Sequence, residues 1–142
     1  MSRENRLLVF TLRDAEYALK LGQVAEVIED AALHPIPRAP SYFAGIMNFH
    51  GELTPVLDMA SFFHAGEAKG NGRLIVLDRG IASLALRVER VVGIFPGENI
   101  LEEHPPEEEM IAKILQLPDG EVKLVDPVSL VAKVEERINE QL

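Results

Sequence analysis

The feature that most constrains the fold is that the chain repeats itself. LLVFTLRDAEYALKLGQVAEVI, from Leu7 to Ile28, shares its order of apolar runs and turns with LIVLDRGIASLALRVERVVGI, from Leu74 to Ile94. Further on, GELTPVLDMASF from Gly51 to Phe62 is echoed by GEVKLVDPVSL from Gly120 to Leu130. Leu7 and Leu74 stand 67 positions apart, Asp58 and Asp126 stand 68 apart, and Asp-x-x-Ser recurs at Asp58/Ser61 and Asp126/Ser129. A near-constant offset predicts two copies of one small unit: lobe 1 over about 6–65 and lobe 2 over about 73–142. The stretch 66–72, with Gly66, Gly70 and Gly72, reads as the linker between them.

Each copy reads as mostly β. Leu8, Phe10 and Leu12, and after a break Tyr17, Leu19 and Leu21, alternate with more exposed positions, which predicts a hairpin with one wet face. The second copy repeats this around Arg79-Gly80, with Leu84, Leu86 and Val88 inward and Ser83, Ala85 and Arg87 outward. A second hairpin in each copy flanks His50-Gly51 or Pro118-Asp119-Gly120, where glycine supplies positive φ. Pro55 cannot donate to a ladder and predicts an edge or a bulge. A short helix is expected over Gln23 to Glu29, presenting Val24, Val27 and Ile28. Asp58 and Asp126 predict N-caps, with Pro127 at the first helical position. The stripe Leu130, Val131, Val134 and Ile138 predicts a C-terminal helix docked on the body. Units this small bury little surface alone, so the copies should share a core.

Composition narrows the function. The chain has 142 residues, no cysteine and a net charge of −9, with no basic cluster. Disulfides, thiolate metal sites and thiol catalysis are out, and binding of nucleic acid through phosphate neutralisation is not expected. No apolar run has the length of a membrane span, and Met-Ser-Arg-Glu-Asn-Arg lacks a signal-peptide core, so a cytoplasmic protein without membrane insertion is expected. Acid concentrates over Glu98 to Glu109, either a solvated loop or an acidic docking surface.

Chemistry is harder to find. His34, His50, His64 and His104 form no close pair, so no metal site is expected. There is no nucleophile elbow, Walker loop or dinucleotide fingerprint. Asp58 and Asp126 invite reading as a carboxylate pair, but capping explains both. The pattern points to a surface that binds, with no catalytic residues and no cofactor.

The run from Ile36 through Gly45, Asn48, His50 and Gly51 into Leu53-Thr54-Pro55-Val56-Leu57-Asp58 resembles the CheW-like family of bacterial chemotaxis coupling proteins. LLVFTLRDAEYAL, Val24-Ala25-Glu26-Val27, Leu74 to Leu77 and DGEVKLVDPVSLV extend the likeness over nearly the whole chain. The resemblance implies two five-stranded SH3-like barrels packed side by side, with short helices and a C-terminal helix. It implies a non-catalytic adaptor, monomeric or weakly self-associating. Such an adaptor couples the cytoplasmic tip of a methyl-accepting chemoreceptor to the regulatory domain of a CheA-type histidine kinase, within membrane receptor arrays. A diverged scaffold of a non-flagellar pathway, such as surface motility, is the alternative. No fused receiver or kinase domain is expected. Carried over by motif, the receptor-facing residues are Val24, Glu26, Gly45, His50 and Gly51. The family has Arg where this chain has His50; the change is either drift at an exposed turn or a weakened pairing with Glu26.

Overall fold

The computed structural model describes residues 5–29, 31–64 and 72–140. In chain order the elements are β1 (Arg6–Leu12), β2 (Ala15–Lys20), β3 (Val24–Ile28), β4 (Phe43–Phe49), β5 (Glu52–Asp58), α1 (Met59–His64), β6 (Arg73–Leu77), β7 (Ala85–Val88), β8 (Arg90–Pro96), β9 (Glu102–His104), β10 (Ile111–Leu117), β11 (Gly120–Val125) and α2 (Pro127–Glu140). Most of the expected linker and the first four residues lie outside the described residues. Among those described, no helix is long and apolar enough to cross a membrane.

Two sheets account for all the strands, in the orders β8-β1-β2-β11-β10-β9 and β3-β6-β7-β5-β4. The repeat is visible in them. Exchanging β1 for β6, β2 for β7, β3 for β8, β4 for β10 and β5 for β11 turns one order into the other, leaving β9 over. Each sheet holds one parallel pair, Leu124 opposite Ala18 and Val56 opposite Ala85. The extra residues that shift register also correspond: Ala25 in β3 matches Val92 in β8, and Ala44 in β4 matches Ala112 in β10.

The sheets do not follow the halves of the sequence, so the lobe boundaries of about 6–65 and 73–142 do not hold. Strand β3 leaves its own hairpin to pair with β6, and β8 leaves its hairpin to pair with β1. Each sheet is therefore built from both copies. One has six strands, not five, because a 3-10 turn at Gly97–Asn99 interrupts the run from β8 to β9.

Each sheet curls around an apolar cluster of its own. Leu7, Val9, Ala18, Leu115 and Leu124 fill the six-stranded barrel, and Met47, Val56, Leu74, Val76 and Ala85 fill the other. A third, larger cluster lies between them: Leu8, Phe10 and Tyr17 come from the first sheet, Leu57, Ile75 and Leu86 from the second. The first hairpin of each copy is thus covered on both faces, which corrects the expectation of a wet face. Ala18 and Ala85, read as outward, are fully buried. This shared core is sealed by Met59 and Phe62 of α1 and by Leu130 and Val134 of α2.

Other local expectations meet the structure unevenly. The segment expected as a helix from Gln23 to Glu29 is β3, preceded by a 3-10 turn at Leu21–Gln23. Pro55 stands opposite Ile46, just ahead of the parallel ladder that begins at Val56; the bulge is on the facing strand at Ala44. Both aspartates cap as expected. Asp58 Oδ2 accepts the Ser61 N–H at 3.0 Å, and Asp126 Oδ1 accepts the N–H groups of Val128 and Ser129 at 3.1 and 3.2 Å.

Candidate partner-binding site

The β4–β5 hairpin turns on two residues. Phe49 pairs with Glu52, and His50 and Gly51 between them have φ of 50° and 85°. Two successive positive φ values are those of a type I′ turn, whose twist matches that of the strands. The Asn48 side chain fixes the turn by accepting the Gly51 N–H at 2.8 Å. The imidazole of His50 is thereby held out from the surface, edge-on to the Phe49 ring at 4.4 Å between centroids.

Strands β3 and β4 are the two edges of their sheet, and the turn reaches across that seam. His50 Nε2 lies 3.5 Å from Glu26 Oε1 on β3, with side chains 74% and 49% exposed. Imidazole is a cation only when protonated, and exposed pairs contribute little, so the contact is weak. Glu26, His50 and Gly51, three of the five expected residues, thus share one exposed patch.

Val24 and Gly45 do not belong to that surface. Val24 is 3% exposed and packs in the shared core. Gly45 is buried, with φ of +150°. A Cβ there would lie 2.8 Å from the His34 carbonyl oxygen and 3.2 Å from Leu33 Cβ. Its missing side chain makes room for the chain's own segment at His34, which is hydrogen-bonded both ways to Ile46 at 2.9 and 2.8 Å. Both residues hold the frame under the patch, not a foreign helix.

Sequence reading missed the neighbouring polar cluster. The Glu52 carboxylate accepts hydrogen bonds from Ser83 and Arg79, tying the β4–β5 turn to the β6–β7 turn. The Ser83 hydroxyl, and then Arg79, hold the Glu52 carboxyl below the usual carboxylate range. Leu53, beside it, is 67% exposed. These contacts join residues 27 and 31 positions apart, and no local pattern announces them. Asp58 was read as a cap alone, but Arg87 also donates its Nε–H to Asp58 Oδ1 at 2.8 Å.

The acidic stretch is exposed, and several of its carboxylates meet lysines: Glu103 with Lys113, Glu108 with Lys123 and Glu109 with Lys133, at 3.2, 3.3 and 3.2 Å. These are surface pairs of small energetic weight.

Two barrels that exchange strands around a common core, sealed by one helix from each copy, define a double-barrel domain that presents Glu26, His50 and Gly51 on one exposed patch. Residues 6–135 match the family model for the CheW-like domain, and the chain belongs to that family. The chain is 26% identical over 108 residues to chemotaxis protein CheW of Treponema pallidum, covering 72% of this chain and 64% of that one. It is 35% identical over 66 residues to Protein FrzA of Myxococcus xanthus, covering 46% and 41%. Both alignments span less than two thirds of the relative. The structure superposes on the scaffolding protein TtCheW of Thermoanaerobacter tengcongensis with a TM-score of 0.75 at 26% identity, over 87% of this chain and 89% of that one.

Proposed function

We propose that the chain is a non-catalytic adaptor that couples a chemoreceptor to a CheA-type histidine kinase in a chemosensory array on the cytoplasmic side of the membrane. The supporting observation is that the family match runs from residue 6 to 135 and the fold likeness to a CheW scaffolding protein covers 87% of the chain. The receptor tip lies along the seam between β3 and β4, meeting Glu26, His50 and the Gly51 turn, with Val24 and Gly45 holding the strands beneath. Exposed Leu53 adds an apolar contact beside that polar pair, and a mixed surface of this kind suits an amphipathic helix.

Co-sedimentation of the full chain with a receptor fragment and the cognate kinase tests this reading. The chain should pellet only with its partners, raise kinase activity only when receptor is present, and lose receptor when Glu26→Arg reverses the patch charge. Kinase activation without receptor, or a Glu26→Arg chain that pellets like wild type, refutes it. A second reading, a scaffold of a non-flagellar pathway, is favoured by the 35% local identity to Protein FrzA. Partners recovered from the native host separate the two.

A further inference from the structure

The two barrels follow one plan, so each position has a counterpart, and the barrels differ at one mouth. In the five-stranded barrel the segment at Leu33 and His34 crosses that mouth; His34 bridges to Ile46, and Leu33 packs on the barrel's apolar cluster. In the six-stranded barrel the counterpart of Ile46 is Ile114, which pairs with His104. Glu103 therefore stands where Leu33 does, and Lys113 where Gly45 does. An apolar plug has become an ion pair of 3.2 Å, with both side chains about half exposed.

That pair lines an open cavity of about 800 Å³. Its lining includes Leu7, Ile100, Leu115 and Leu124, the three leucines being core residues only 1–5% exposed, together with the polar side chains of Lys20 and Glu98. This volume falls within the range of small-molecule sites, roughly 300–1,000 Å³. A third counterpart sets the charge. In the five-stranded barrel Arg87 is tied to Asp58. Its counterpart is Lys20, but the Asp126 carboxylate is occupied by Val128, Ser129 and the Ser129 hydroxyl. Among the described residues no ion pair holds Lys20.

We propose that this mouth binds a small amphiphile with an aliphatic tail and a singly anionic head, a medium-chain carboxylate being the simplest form. The tail takes the place that Leu33 fills in the other barrel, and the head meets the Lys20 ammonium. Glu98 and Glu103 in the lining disfavour a second negative charge on the ligand. The site is separate from the receptor patch and does not depend on the adaptor reading.

Full-length chain titrated with octanoate, octanol and octylammonium, followed by the NMR signals of Leu7, Leu115 and Leu124, tests it. Octanoate should bind saturably, with a dissociation constant of about 1 mM or tighter. Octanol should bind about two- to five-fold more weakly, as an exposed ion pair implies, and octylammonium more weakly still. Lys20→Gln should bring octanoate to the level of octanol and leave octanol unchanged. Glu103→Leu, which rebuilds the plug of the other barrel, should abolish binding of both without lowering the melting temperature. If that variant does not fold, Ala112→Leu adds bulk at another position of the same lining. The proposal is overturned by non-saturable binding, by shifts elsewhere in the molecule, by octylammonium binding best, or by octanoate binding unchanged in Lys20→Gln or in the plugged variant.

Discussion

Gly45 gives the sharpest test of how the frame under the patch of Glu26, His50 and Gly51 is held. Gly45→Ala adds one carbon at a φ of +150°, a region populated essentially by glycine, where another residue costs about 1–3 kcal/mol. That carbon also lies 2.8 Å from the His34 carbonyl oxygen, closer than real contacts allow. Relief requires the His34 segment to lift, weakening two backbone hydrogen bonds to Ile46 worth about 1 kcal/mol each. Together the effects amount to about 2–4 kcal/mol, or roughly 6–12 °C in melting temperature for a domain of this size. Gly51→Ala is the control: its φ of +85° is also positive, but nothing lies within 4 Å of the added carbon, so only about 1–2 kcal/mol of backbone cost remains. Urea unfolding of both variants, read as the shift in midpoint at constant slope, separates backbone strain from collision. If Gly45→Ala unfolds within about 0.5 kcal/mol of wild type, below the floor set by these effects, the close approach of His34 is not what requires glycine.

Three further outcomes follow from named contacts. If the His50 cation bears on receptor binding, affinity rises as pH falls, and His50→Arg, charged at every working pH, removes that dependence and binds at the low-pH strength; equal, pH-independent binding by both forms would make His50 a bystander. Asp58→Ala should cost about 2–4 kcal/mol, since it removes a cap and strands the partly buried Arg87, whereas Asp126→Ala should cost only about 1 kcal/mol as a lost cap; equal losses in chemical denaturation would show that the Arg87 pair contributes nothing. Glu52 has a lowered folded-state pKa, so its contribution is present above the unfolded value and lost as pH falls through the folded one. Melting of Glu52→Gln and wild type should therefore converge on acidification below about pH 4, and a gap that stays constant would refute the assignment.

The sequence made the repeat, the hairpins and both caps legible because each is written in adjacent residues. The β3 strand was not, and its bulge explains why. With Ala25 as an extra residue, Val24, Val27 and Ile28 fall at spacings of three and four, which imitate one face of a helix. The double burial of the first hairpins was hidden in a similar way. Ala18 and Ala85 are small enough to pass for residues of a wet face, and only the presence of a second packed layer shows them to be core. At the site, the motif picked out Glu26, His50 and Gly51, which the structure brings together on one exposed patch. It could not distinguish an exposed Glu26 from a buried Val24 two residues away, nor show that Gly45 accommodates a segment of its own chain. Burial depends on which strand lies alongside, and that is a property of pairing, not of the local pattern.

Strand exchange was also beyond reach, since a repeat says that two units are alike and not which unit a strand joins. Each third strand had two similar edges to choose from, and both crossed over. The crossing binds the barrels more firmly than side-by-side packing would, because neither sheet closes without a strand following the other's hairpin. It also bears on the proposed receptor patch. Strand β3 presents Glu26 outward while Val24, on the same strand, is embedded in the core common to both barrels. A partner pressing on Glu26 therefore meets an edge strand that is anchored through Val24 in the shared core. Such stiffness suits the proposed docking of a receptor tip in fixed register, and it places the adaptable part of the patch in the exposed side chains of His50 and Leu53.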